Sequence, residues 1–121
     1  MRAPLRIFLG LLLLLLASPA TLRADEFRPA LLDIVERDGG WVDVTWKVPM
    51  RQDRVLSIAP VLPESLEPLG TGTGNKVSGA WVEKKSYRSG QPMNGATLSI
   101  EGLEAVPTDV LVRIKLEDGA E

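Results

Sequence analysis

The ten residues from Gly40 to Pro49 constrain this chain more than any other stretch. They alternate strictly: Val42, Val44, Trp46 and Val48 fall on one side, and Asp43, Thr45 and Lys47 on the other. Side chains of a β-strand alternate with period two, so this pattern predicts a half-buried strand. Asp38-Gly39-Gly40 precedes it as a turn and Pro49 closes it. The parity places Trp46 in the core and Trp41 on the outward side.

The flanking segments read the same way. Phe27–Glu36 is a strand with Leu32 and Ile34 on one face and Leu31 and Val35 on the other. Pro29 near its start suits an edge position, where a missing N–H is tolerated. The turn at residues 38–40 joins it to the next strand as a hairpin. Residues 50–54 are a polar connection. Arg54–Leu62 is a third strand, with Leu56, Ile58 and Leu62 on one face and Pro60 marking an edge or an end. Pro63–Asn75 carries two prolines and three glycines and reads as a loop. Lys76–Arg88 is extended around Val77, Trp81, Val82 and Tyr87, as one bent strand or two. After a turn at residues 89–95, Ala96–Leu103 and Thr108–Glu117 are the last strands. Leu98, Ile100, Val110, Val112, Ile114 and Leu116 face inward.

No part of the chain after residue 24 shows an apolar stripe of helical period. Short strands with turn signals every ~8–12 residues predict an all-β fold, a single immunoglobulin-like β-sandwich of six or seven strands. Its expected core is Val42, Val44, Trp46, Val48, Leu56, Ile58, Leu98, Ile100, Val110, Val112 and Ile114.

The first residues carry an address. Arg2 and Arg6 are followed by an apolar run from Ile7 to Ala17 and by Ser18, Pro19 and Ala20. That order is a secretory signal peptide, and the run is short for a span of ~20 apolar residues. Residues 1–24 are therefore expected to be removed, and residues 25–119 to form the domain in the periplasm or outside the cell. Small residues also permit a cut after Ala20, which removes Arg2 and Arg6 and no acid. The formal charge of the whole chain is −2, and such a cut makes it more acidic. An acidic domain lacks the basic patches that nucleic acid or anionic lipid requires, so no nucleic-acid partner is expected.

The chain has no cysteine and no histidine. Its fold stands without disulfides, and histidine triads, histidine bases and imidazole metal ligands are excluded. Serine catalysis lacks a base, because no Ser-x-x-Lys occurs either. The Gly70–Lys76 stretch matches neither the dinucleotide nor the P-loop spacing. Glu101 with Glu104 leaves only carboxylate chemistry open. Asp25 with Glu26 and Glu117 with Asp118 are pairs without a calcium-loop pattern. The expectation is a non-enzyme with no cofactor and no catalytic or metal residue. Trp41 and Tyr87 are the candidate partner contacts, because a surface aromatic marks a partner or sugar surface.

Four segments, taken in order, resemble the extracytoplasmic region of HupE/UreJ-like membrane proteins. They are Glu26-Phe27-Arg28-Pro29-Ala30, Val44–Pro49, Ile58–Pro63, and Ile100–Leu103 with Thr108–Arg113. The resemblance implies a head domain that precedes a bundle of membrane helices. It also implies a cut directly before Asp25, and a partner that is a membrane protein or the family's own membrane part. The sequence ends at Glu121 before any such helix, has Asp25 where the family pattern has histidine, and lacks the cysteine pair of several relatives. Nickel handling, associated with some members, does not carry over, and no strong nickel binding is expected of oxygen ligands beside an amine. A free periplasmic module that binds a small molecule or carbohydrate is the competing expectation.

Overall fold

The computed structural model describes residues 28–121. The expected signal peptide, its cleavage sites and Asp25 lie outside the described residues. The described residues form eight strands: β1 (Ala30–Glu36), β2 (Trp41–Arg51), β3 (Arg54–Val55), β4 (Ala59–Val61), β5 (Leu66–Val77), β6 (Ala80–Ser89), β7 (Ser99–Glu101) and β8 (Val110–Lys115). The only helical elements among the described residues are two single 3-10 turns, Asp38–Gly40 and Leu103–Ala105. The fold is all-β and sandwich-like. A large sheet runs in the order β5-β6-β2-β1-β8, with β3 hung on β2, and a small sheet pairs β4 with β7.

β2 is the spine, as its alternation predicts. It pairs antiparallel with β1 on one side and β6 on the other, through Leu32↔Trp46, Ile34↔Val44, Val42↔Tyr87 and Val48↔Trp81. Val42 and Val48 are fully buried, and Val44 and Trp46 nearly so. Leu32 and Ile34 join them from β1. Ala30, Ile58, Leu66 and Met93 complete the buried cluster, with Leu56, Leu98, Ile100, Val106, Val110 and Ile114 among the half-buried residues around it. The second layer is therefore mostly loop, closed by one short ladder between β4 and β7.

Several expectations change. β1 is not an edge strand: it lies between β2 and β8, and its ladder with β8 is parallel. Pro29 sits just before that ladder, which begins where the Ala30 N–H donates to the Asp109 carbonyl at 2.9 Å. The antiparallel ladder with β2 begins only at Leu31↔Lys47, so the missing N–H of Pro29 removes no bond from either ladder. The residues from Leu66 to Asn75 are not loop but the body of β5, paired with β6. A bulge between Leu69 and Thr73 absorbs their irregularity. The glycines have a positional reason. Gly72 has φ +73, and a Cβ there would meet the Lys84 carbonyl oxygen at 2.7 Å. At Gly74 a Cβ would meet the Trp81 ring at 2.5 Å. The third strand is split into β3 and β4, and residues 51–54 are a two-residue hairpin turn. Gln52 and Asp53 both have positive φ there, as do Ser78 and Gly79 between β5 and β6, which is the primed-turn geometry of tight hairpins.

Val112 also departs from expectation. Its parity is inward, level with Leu32 in the β1–β8 register, yet it is 45% exposed. The small second layer covers the middle of the large sheet and leaves the middle of β8 open.

Candidate functional site

The solvent face of the large sheet carries the densest polar constellation. It is built from odd-numbered residues of β1 and β2 and even-numbered residues of β6, which the registers Asp33↔Thr45 and Asp43↔Ser86 bring side by side. Asp43 is its centre. Its Oδ1 accepts from the Trp41 indole N–H and from the Ser86 hydroxyl, both at 2.8 Å, and its Oδ2 accepts from Nε of Arg37. Burial pulls the Asp43 carboxyl up, but the three donors and the Arg37 charge outweigh it and hold it below its ordinary value. A carboxylate engaged by three donors is a poor proton acceptor; its role here is to fix its neighbours.

Trp41 is the neighbour that matters. It is 40% exposed, and the bond to Asp43, two residues along the same face, orients its ring. Beside it Arg37, Asp38 and Asp43 line an open hollow. Next along the face is a trough lined by Asp33, Thr45, Thr73, Lys84 and Ser86 among others. Asp33 is held there by a two-pronged bond from Arg113, at 3.0 and 2.9 Å. Asp33 and Asp43 are thus each paired with an arginine.

Tyr87 lies elsewhere. Its cross-strand partner is the buried Val42, so it points to the inner side and packs against the core cluster. The Lys85 ammonium sits 5.6 Å from its ring centroid. Burial pushes the Tyr87 phenol up, and the Glu83 charge adds to the shift. Trp41 and Tyr87 are on opposite faces and do not form one surface.

A second acidic group gathers where β1 and β8 end. The Glu36 carboxylate accepts the backbone N–H of Met93 at 2.9 Å and that of Glu117 at 3.0 Å. The Glu117 carboxyl is raised, first by desolvation and then by Asp38, Glu36 and Asp118. Among the described residues no group of three or more carboxylates is disposed to hold a metal ion. Glu101, at the end of β7, and Glu104 in the following 3-10 turn are both exposed.

The class defined by this geometry is an all-β, sandwich-like domain with an aromatic and polar solvent face. Comparison with protein-family models, with curated proteins and with solved structures gives no match.

Arg37 and Ser86 escaped the sequence reading. Alternation places Asp43 outward, but its partner on β6 is 43 positions away, and only the β2–β6 register reveals it.

Proposed function

We propose that residues 25–119 are an exported, non-catalytic interaction domain, like the head of a HupE/UreJ-like membrane protein. It docks on a membrane-protein partner through the solvent face around Trp41. The observation that carries this reading is the 40% exposed Trp41, oriented by Asp43 at the margin of the sheet's solvent face. Tryptophan and arginine together are favoured anchors of protein interfaces, and Arg37 lies against the same carboxylate. The engaged state of Asp33 and Asp43 supports a non-catalytic role, because neither carboxylate is set up as acid or base.

The second reading is a small-molecule or carbohydrate module using the trough beside Trp41. The hydroxyls of Thr45, Thr73 and Ser86 along that trough favour it. Photocrosslinking separates the two. The full chain carries a photoreactive residue at position 41, or at Val77 as a control. A discrete adduct with a membrane protein from position 41 alone supports docking. No adduct, together with a change in tryptophan fluorescence on adding oligosaccharides, supports the second reading and overturns the first.

A further inference from the structure

The free edge of β8 is organised differently from any other surface of the domain. β8 ends the large sheet, and Leu111 and Val112 are 57% and 45% exposed on its two faces. Ala30 donates to the Asp109 carbonyl, and the β1–β8 ladder keeps one register from Ala30↔Val110 to Val35↔Lys115. In a parallel ladder alternate residues of one strand bond the neighbour. Asp109, Leu111, Arg113 and Lys115 thus direct their backbone groups to β1, while Val110, Val112 and Ile114 direct theirs outward. Among the described residues no strand meets those outward groups. Such an edge is a template for another strand.

The sequence of the edge says which strand. We propose that β8 pairs with β8 of a second copy of this chain, antiparallel, about a two-fold axis at Val112. That register sets Val112 opposite Val112 and Val110 opposite Ile114, so that outward groups meet outward groups. On the inner side every facing pair is branched and apolar, which suits cross-strand packing. On the solvent side Asp109 of each copy faces Lys115 of the other, and both are exposed. Arg113, already neutralised by Asp33, faces Leu111. The alternatives are worse. A one-residue shift mismatches the backbone groups. A two-residue shift one way sets Arg113 against Arg113; the other way sets Lys115 against Pro107 and gives Asp109 only Arg113, which Asp33 already engages. Val112 supplies the room as well: its exposure shows that the second layer leaves the middle of this strand uncovered. The contact is small beside the ~1,600 Å² of a standard interface, so the dimer is weak and concentration-dependent.

The pairing uses an edge, not the Trp41 face, so it stands or falls separately from the docking reading. Sedimentation equilibrium on the full chain, up to about 1 mM, reads the dimer. Asp109→Lys weakens it at least tenfold, and Asp109→Lys with Lys115→Asp restores it. The chain has no cysteine, so Val112→Cys gives a clean crosslink. Cα atoms of a bonded antiparallel pair are roughly 5.5 Å apart, inside the disulfide range. Val112→Cys therefore oxidises to a covalent dimer, whereas Val77→Cys, 49% exposed on the opposite edge, does not. Trp41→Ala leaves the dimer intact. A chain that stays monomeric at about 1 mM overturns the proposal. So does a dimer indifferent to both charge changes, or open-ended polymers in place of a dimer.

Discussion

The two edges of the large sheet solve the same problem in opposite ways. β5 is long, bulged and glycine-rich, and its strand breaks register between Leu69 and Thr73. β8 is short, straight and rich in branched residues, with Leu111 and Val112 showing. A bulge twists an edge away from would-be partners, and mismatched N–H and C=O groups cannot be templated. At β5 the glycines therefore protect. At β8 only Asp109, Arg113 and Lys115 interrupt an adhesive strand. An edge can be made unsociable by backbone irregularity or selective by charge, and this sheet has one of each.

The largest expected effect tests what both edges hang from. Trp46 lies on the central strand at 4% exposure, so Trp46→Ala should cost ~3–5 kcal/mol. Chemical denaturation measures it, and a loss under ~1 kcal/mol would mean that the edges hold the sheet without its spine. The next effect contrasts the edges directly. Gly74→Val drives a side chain into the Trp81 ring and should cost ~1–3 kcal/mol through overpacking. Val112→Thr, on the open edge, should stay within ~0.5 kcal/mol at dilute concentration. Equal costs would erase the distinction between a packed edge and an open one.

The smallest effect concerns the face that lies between the edges. The Asp43 carboxyl is held below its ordinary value of 3.8. A depressed acid contributes stability above that value and loses it as pH falls through the folded-state value. Its Arg37 partner is 63% exposed, so the contribution is under ~1 kcal/mol. Thermal melts between pH 5 and about pH 2 should show the loss, and Asp43→Asn should lessen it. Glu117, raised instead, acts in the opposite sense: ionising it as pH rises past its ordinary 4.5 is mildly unfavourable.

Much of the large sheet was legible because one residue in two is apolar. β2 shows it most clearly, and Leu32 and Ile34 of β1 follow from the same rule. β5 was not legible, because its signal is negative. Proline and glycine usually mark loops, and only the close approaches of Gly72 to the Lys84 carbonyl and of Gly74 to the Trp81 ring show why a strand needs glycine here. The turn at Gln52-Asp53 has no glycine to announce its positive φ values. The rank of β1 in the sheet was hidden too, since the β8 that covers it lies 80 residues downstream, as the Asp33–Arg113 bond shows. On the candidate site, the outward parity of Trp41 was readable from one strand. Asp43, two residues on, shares that parity, but Ser86 across the ladder needed a register that no local pattern encodes.

The parallel ladder between β1 and β8 has a mechanical consequence. Because the two strands run the same way, the chain enters the sheet at Ala30 and leaves it after Lys115 at the opposite end. At ~3.3 Å per residue the six paired positions separate entry from exit by roughly 20 Å. Tension applied through the two ends of the domain acts along the strands, so the ladder is loaded in shear and its bonds share the force together. An antiparallel terminal pair would be peeled open one bond at a time. The same six residues that leave an edge exposed also place the domain in line with any pull, as a link that resists rather than a flap that unzips.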